Sequence, residues 1–191
     1  MRLSPALLSS LLLATSALAE GPSAGLERPP HRLDLGLAAG FNTEGLLAVV
    51  SDLRLTDHLS VGAGVGEGLW GHRWSGHVRL YPEGLTHSGL FLEATGALNQ
   101  GGFVSYPSEG PVSPLDYDKN QVATAAASIG YRFGLGSRGW LALQGGWAAA
   151  LRTPEARLRT AASPSRDDRA IIDVSEPGGV VVGLSGGFSV F

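Results

Sequence analysis

Leu33-Asp34-Leu35-Gly36-Leu37 alternates leucine with a polar or small residue. Side chains of a β-strand point to opposite faces in turn, so this stretch predicts a strand with one apolar face and one polar or small face. Similar alternation along the chain predicts eight strands: 33–41, 46–55, 59–66, 74–81, 89–98, 121–133, 140–150 and 180–191. Such strands are typical of a membrane-spanning β-barrel, whose outer face meets lipid while its inner face is polar.

The lengths of the connections between these strands also fit a membrane barrel. The second, fourth and sixth connections, 56–58, 82–88 and 134–139, are short, whereas the two longest, 99–120 and 151–179, fall at the opposite end. Outer-membrane barrels have short periplasmic turns and longer external loops. We therefore expect an all-β fold, an eight-stranded antiparallel up-and-down transmembrane β-barrel with both termini on the periplasmic side.

The region before the first predicted strand divides into two segments. Residues 1–19 contain a basic residue, an apolar core and a final Ala17-Leu18-Ala19, which is the pattern of a secretory signal peptide. The apolar core is shorter than the roughly 20 residues that a membrane helix needs. Residues 20–32 are rich in proline and glycine and predict a flexible leader, so the barrel domain is expected to span 33–191.

Composition excludes several classes of function. Cleavage after Ala19 leaves 172 residues (191 minus 19), enough for one domain, with 13 basic against 17 acidic residues and no basic cluster that would follow phosphates. We therefore expect no nucleic-acid partner. The chain has no cysteine, which excludes disulfides and thiolate chemistry. His31, His72 and His87 lie in separate turns without the spacing of metal ligands, so neither a metal nor a cofactor is predicted.

Three stretches carry a family likeness: DLRLTDHLSVGAGVG (52–66), GHVRLYPEGLTHSGLFLEATGAL (76–98) and ASIGYRFGLGSRGWLALQGGW (127–147). They resemble hairpins of small bacterial outer-membrane barrels of the OmpA, OmpX and OmpW kind, without identifying a subfamily. The C-terminal Phe191 is similar to the aromatic residue that the barrel insertion machinery recognises in that family. The resemblance implies a porin-like monomer in the Gram-negative cell outer membrane, with outer-membrane lipid and the insertion machinery as partners.

The last predicted strand departs from the family pattern. Phe188, Val190 and the apolar residues before them occupy the face opposite to that of Phe191, whereas in the family the terminal aromatic shares the apolar face. Either a β-bulge near Ser189 restores the common face, or Phe191 lies at the membrane interface. The sequence leaves the register of this strand open.

Aromatic residues fall toward the ends of the predicted strands. We expect them to form the two girdles that flank the apolar band of outer-membrane barrels, although two of them have the inward phase. The expected external girdle comprises Phe41, Trp70, Trp74 and Trp147, and the periplasmic girdle comprises Tyr81, Tyr131, Phe133 and Trp140.

Charged and ionisable residues of the inward phase predict a polar network inside the barrel. Three arginines come from alternate strands and lie at one level, near the periplasmic ends of those strands. Three inward carboxylates equal them in number, and we expect these charges to form pairs if the lumen is too narrow for a water-filled pore. If the 82–88 turn is symmetric about Leu85, His77 lies directly opposite Glu93. The predicted network comprises Asp34, Asp52, Arg54, His77, Arg79, Glu93 and Arg132.

These features predict a non-enzymatic outer-membrane barrel with an envelope-structural or surface-interaction role, a salt-bridged lumen and loops (99–120 and 151–179) that could bind a surface ligand. One alternative is a narrow channel or small-solute carrier in which the inward arginines attract anions. Another is a lipid-modifying enzyme, because His58-Leu59-Ser60 is similar to the His-x-Ser element of barrel lipid A deacylases, although it falls in a periplasmic turn. A soluble secreted binding barrel also alternates its faces.

Overall fold

A computed structural model describes residues 33–84, 88–106, 115–159 and 166–190. Eight long strands are present: β1 Leu33–Phe41, β2 Leu47–Arg54, β3 Leu59–Gly68, β4 Gly71–Leu80, β5 Gly89–Asn99, β8 Val122–Leu135, β9 Gly139–Ala150 and β11 Gly179–Ser189. The two longest connections contain three short strands and a helix: β6 Gly102–Tyr106, β7 Leu115–Lys119, β10 Ala156–Leu158 and α1 Arg166–Ser175.

The eight long strands close into an antiparallel barrel in the order β1-β11-β9-β8-β5-β4-β3-β2. The predicted all-β, eight-stranded up-and-down fold is confirmed. Both described ends of the chain lie at one end of the barrel, which we call the turn end because residues 55–58, 81–84 and 136–138, which follow β2, β4 and β8, lie there. The opposite end, which carries the two longest connections, is called the loop end.

The hairpin between β3 and β4 is tighter than the sequence predicts. The predicted strands leave a connection over 67–73, but β3 continues to Gly68 and β4 begins at Gly71, so only Leu69 and Trp70 connect them. Gly71 has φ +111°, a backbone conformation that residues with a Cβ rarely adopt. This glycine lets the ladder start again immediately after the turn.

Side chains alternate between the outside and the inside of the barrel wall. The outside carries aliphatic side chains, whereas large aromatic side chains fill much of the inside. Tyr81, Phe91 and Trp140 are almost fully buried there, with exposed fractions of 2%, 0% and 3%. Phe91 packs against Gly130 and Trp140 against Gly36, where an added Cβ would lie within 2.8 Å of the ring. Small inward residues therefore make room for large ones on other strands.

The predicted aromatic girdles are only partly present as exposed side chains. Tyr81 and Trp140 are buried because their phase points inward, and Trp70 is buried beneath the long connections, so assigning these three to the girdles is wrong. The exposed members are Phe41, Trp74 and Trp147 near the loop end and Tyr131 and Phe133 near the turn end.

The last strand, β11, pairs with β1 without interruption. The register runs from Phe41 opposite Val182 to Asp34 opposite Ser189, one residue for one residue. No β-bulge lies within these pairs, and Phe188 and Val190 are exposed while Ser189 is buried. Phe191 lies outside the described residues.

The long connections are more regular than the sequence predicts. Strands β6, β7 and β10 form a three-stranded sheet in the order β10-β7-β6, and α1 precedes β11. We call these four elements the cap. None of the helices in the described part of the chain is long and apolar enough to cross a membrane.

Candidate functional site

The candidate site lies inside the barrel, where the small side of β3 creates space. Gly62 and Gly64 lie on this strand in the inward phase. A Cβ on Gly62 would lie 2.2 Å from His77 Nε2, and a Cβ on Gly64 would lie 2.6 Å from Glu44 Cγ. These two glycines therefore provide the volume that the His77 and Glu44 side chains occupy.

Arg79 on β4 lies at the centre of the ion pairs. Its Nη1 donates to Asp52 Oδ2 of β2, and its Nε donates to Glu93 Oε2 of β5 at 2.7 Å. The guanidinium carbon also lies 5.0 Å from the centre of the Phe91 ring. All three ionic side chains are buried, so each charge depends on the others for compensation.

The register between β4 and β5 differs from the predicted one. Arg79 lies directly opposite Glu93, and His77 lies opposite Thr95, so the prediction that pairs His77 with Glu93 is wrong. Gly84, with φ +76°, donates its N–H to the Tyr81 carbonyl in a turn directly after β4. Because this turn is built on the β4 side, the centre of the connection lies one residue later than the sequence suggests.

His77 contacts two carboxylates on opposite sides of its ring. Nε2 lies 3.0 Å from Asp52 Oδ2, and Nδ1 lies 3.3 Å from Glu44 Oε1. Glu44 belongs to the connection between β1 and β2, yet its side chain is buried inside the barrel. Glu44 is absent from the predicted network because residues 42–45 fall in the connection between the first two predicted strands. The inward glycines of β3 are the signal in the sequence that an additional side chain enters the barrel there.

Glu93 also accepts hydrogen bonds from neutral side chains. Its Oε1 accepts from Thr95 Oγ1 at 2.8 Å and from Gln144 Nε2 at 3.1 Å, while Ser128 Oγ lies at 3.5 Å. These donors come from β5, β9 and β8, so they connect Glu93 to its own strand and to the next two strands of the wall. This carboxylate is therefore held in place by more than its ion pair.

A second ion pair crosses the interior near the turn end. Arg132 Nη1 on β8 donates to Asp34 Oδ2 on β1 at 2.5 Å, although β9 and β11 separate these strands in the wall. Ser189 Oγ donates to the other oxygen of Asp34, and Arg132 lies over the Trp140 ring at 4.9 Å. Side chains therefore fill the barrel from wall to wall at this level.

The charges of the network are not paired one to one. Arg79 contacts two carboxylates, Arg132 contacts one, and Arg54 is half-buried, with no hydrogen-bond partner for its Nε among the described residues. The structure therefore places all seven predicted residues on the inner face of the barrel, but it arranges six of them in two separate groups.

Arg73 lies at the loop-end mouth and was also missed from the sequence. Its Nη1 donates to Asn99 Oδ1 at 2.8 Å and its Nη2 to the Asn42 carbonyl at 3.2 Å. Asn99 Nδ2 donates in turn to the Val122 carbonyl at 3.1 Å. Arg73 and Asn99 fall just outside the predicted strands 74–81 and 89–98. In the structure, β4 begins earlier and β5 ends later, so both residues belong to the barrel wall.

Lys119 attaches the cap to this mouth. Its Nζ donates to the Leu69 carbonyl at 2.9 Å and to Ser175 Oγ at 3.2 Å, and it lies 4.8 Å from the centre of the Trp70 ring. Trp70 Nε1 donates to the Asn120 carbonyl at 2.7 Å. The β3–β4 turn, β7 and α1 therefore meet at one point above the barrel.

The residues suggested by the deacylase alternative lie at the turn end. His58 is exposed, and its Nδ1 is 2.9 Å from the Tyr81 carbonyl, whereas the Ser60 side chain is buried inside the barrel.

Among the described residues, those that could together hold a metal ion are Glu44, His77 and Glu93, each of which offers a ligand atom within 4.8 Å of the others.

No protein-family model matches the chain, and no curated protein matches it. Among solved structures, the chain is similar to the crystal structure of Acinetobacter baumannii CarO, with 9% sequence identity and a TM-score of 0.36. The similarity covers 83% of this chain and 98% of that chain. A similarity at this level identifies no family, so the function has to be argued from the barrel itself.

Proposed function

We propose that this protein is a non-enzymatic, integral β-barrel of the bacterial outer membrane with a structural or surface-interaction role. The observation that carries the proposal is the apolar outer surface of the closed barrel. Fourteen of its aliphatic side chains are 40% to 58% exposed: Leu35, Leu37, Val49, Leu53, Val65, Val78, Leu80, Leu90, Leu92, Ile129, Leu143, Val180, Val182 and Leu184. Soluble monomers rarely expose contiguous apolar patches larger than a few hundred Å², whereas lipid favours such a surface.

Strand length supports a membrane location. The eight barrel strands contain 8 to 14 residues, and a transmembrane strand needs about 9 to 11 tilted residues to cross the hydrocarbon core. Exposed aromatic side chains near both ends of the barrel are consistent with the interfaces on either side. A closed barrel leaves no free strand edge, which favours a monomer surrounded by outer-membrane lipid and inserted by the barrel insertion machinery.

The filled interior favours a plug over a pore. The Arg132–Asp34 pair crosses the barrel near the turn end beside the Trp140 ring, and the Phe91 ring and the Arg79 group lie next to it along the barrel. An eight-stranded barrel has an interior just wide enough for side chains. The cap, held above the mouth by Lys119, is the surface that a partner outside the cell would meet.

A pair of substitutions tests the membrane location. Leu37 lies at the middle of β1 on the outside, and Phe103 is equally exposed on β6 of the cap, with fractions of 51% and 55%. In a lipid bilayer, Leu37→Arg is expected to reduce the free energy of unfolding by about 2–4 kcal/mol, because the charge lies at the bilayer midplane. Phe103→Arg is the matched control and is expected to have a far smaller effect.

The measurement is urea unfolding of each variant after insertion into lipid vesicles. Fractionation of cells is the second measurement, and we expect to find the protein in the outer membrane. On gels, we expect the protein to migrate differently before and after heating. Recovery in the periplasm without detergent, or equal effects of the two arginines, would contradict the proposal. Steady single-channel conductance in planar bilayers would contradict the plugged interior.

A further inference from the structure

Two buried polar atoms inside the barrel face each other without a hydrogen bond. Glu44 Oε1 and His77 Nδ1 lie 3.3 Å apart, and neither atom has a hydrogen-bond partner among the described residues. The two residues are only 2% and 3% exposed. Buried polar atoms are almost always satisfied, and a bound species that contacts both atoms would satisfy this pair.

The other side of the His77 ring fixes which nitrogen is available. Nε2 lies 3.0 Å from Asp52 Oδ2, and a carboxylate accepts, so the Nε2 position carries the proton. This leaves Nδ1 on the side of the ring that faces Glu44. Histidines that bind metals commonly donate their second N–H to a carboxylate in this way.

The separation of the two atoms is also that expected for two ligands of one ion. N–H···O hydrogen bonds span about 2.7–3.2 Å, and 3.3 Å lies just beyond this range. Two ligand atoms, each about 2.0–2.1 Å from a tetrahedral ion, lie about 3.3 Å apart. Glu93 offers a third ligand atom within 4.8 Å of ligand atoms of both other residues, and because its carboxylate is held by Arg79, Thr95 and Gln144, a water molecule bound to the ion would bridge to it.

The charge around His77 also favours a cation. Three buried carboxylates, those of Glu44, Asp52 and Glu93, surround this region. Arg79 compensates Asp52 and Glu93 through ion pairs, and Arg73 acts on Glu44 electrostatically. A metal ion or a protonated imidazole would balance the third carboxylate.

We propose that Glu44, His77 and Glu93 form a binding site for a divalent transition-metal cation of the Zn²⁺ type, with Asp52 as a positioning residue. One imidazole nitrogen and two carboxylate oxygens are ligands that such ions accept. A pocket of about 40 Å³ lies at the loop-end mouth, and the residues that line it include Asn42 and Gly45, on either side of Glu44 in the sequence.

The test uses the mature chain, refolded in detergent micelles, treated with chelator and titrated with ZnCl₂ alone. We expect one Zn²⁺ per barrel by calorimetry and by elemental analysis after dialysis, together with a rise in the thermal unfolding temperature. Glu44→Gln and His77→Gln are expected to bind at least about tenfold more weakly. His72→Gln is the matched control, because His72 pairs with Glu67 on the exposed surface at the loop end and is expected to change nothing.

Folding of each variant is checked by its heat-modifiable migration on gels. Glu44→Gln keeps the shape of the side chain, so it decides the result if His77→Gln does not fold. Co²⁺ provides a second readout, since its visible absorption bands are expected to change in Glu44→Gln. Absence of binding in the native chain, equal binding by Glu44→Gln or loss of binding in His72→Gln would overturn the proposal, and an imidazolium held between Asp52 and Glu44 would then explain the geometry.

Discussion

Two arginine–carboxylate clusters with good geometry lie in opposite surroundings. Inside the barrel, Arg79 bonds to Glu93 at 2.7 Å and to Asp52, with side chains that are at most 7% exposed. In the cap, Arg159 donates two hydrogen bonds to Asp118 at 2.6 and 2.7 Å, with side chains 56% and 48% exposed. Water screens the cap pair, whereas removal of one buried partner leaves an uncompensated charge. Surroundings, more than hydrogen-bond geometry, decide what each pair contributes.

The largest effect is expected from Arg79→Met. The substitution leaves Asp52 and Glu93 buried without their shared cation, and the expected loss is about 3–5 kcal/mol of unfolding free energy. Urea unfolding in lipid vesicles, followed by tryptophan fluorescence, measures it. Adding Asp52→Asn and Glu93→Gln to the same chain is expected to recover most of the loss. A loss of less than about 1 kcal/mol for Arg79→Met alone would show that water reaches the interior and would remove the contrast with the cap.

A smaller effect is expected from filling the space that the interior network needs. In Gly64→Ala the new Cβ would lie 2.6 Å from Glu44 Cγ and 2.8 Å from Ser75 Oγ, and overpacking of this kind costs about 1–3 kcal/mol. Gly96→Ala is the control, because no heavy atom lies within 4 Å of its added Cβ. Both glycines lie in barrel strands, so the difference between the two variants isolates the packing. Equal unfolding midpoints in vesicles would mean that Glu44 does not occupy the space above Gly64.

The next effect concerns the attachment of the cap to the barrel. Lys119 is the only lysine in the chain, and it is 5% exposed, so its reaction with an amine-specific reagent reports opening of the cap. Trp70→Leu removes the ring beneath the ammonium and the hydrogen bond to the Asn120 carbonyl. We expect Lys119 to be modified about tenfold faster, which corresponds to about 1.4 kcal/mol of opening free energy.

Peptide mass spectrometry separates Lys119 from the N-terminal amine in this experiment. Trp74→Leu is the control, since Trp74 is exposed on the outside of the barrel. An unchanged Lys119 rate in Trp70→Leu would show that the contacts at the mouth do not hold the cap. A large effect on the global unfolding midpoint would instead place Trp70 in the cooperative core of the barrel.

The barrel could be predicted from the sequence because its alternation is a direct consequence of strand geometry. Leu35 and Leu37 outside, with Asp34 inside, follow from a period of two, which the closed barrel preserves through every pairing. Residues in the connections have no such period. Glu44 and Arg73 lie in predicted connections, yet their side chains are buried. His77 pairs with Thr95, two residues along β5 from the predicted partner Glu93.

The cap could not be predicted for a related reason. Strands β6, β7 and β10 have only five, five and three residues, too short for a clear period, and β10 pairs with β7 from a connection far along the chain. Contacts such as that of Lys119 with the Leu69 carbonyl depend on the tertiary arrangement of two connections. The sequence marks Lys119 as unusual only by its being the single lysine.

The smallest effect is expected from the exposed pair of the cap. The hydrogen bond from Arg159 holds the pKa of Asp118 below its ordinary value. A carboxylate with a lowered pKa in the folded state stabilises that state above its unfolded pKa, and the contribution is lost as the pH falls through the folded pKa. In Arg159→Gln, NMR titration is expected to show the pKa of Asp118 rising toward the ordinary value. Because solvent screens this pair, the unfolding midpoint at neutral pH is expected to stay unchanged. If Arg159→Gln lowered the unfolding midpoint as much as Arg79→Met, the cap pair would be dehydrated in the membrane-bound protein. The difference between the two clusters would then have to come from something other than exposure.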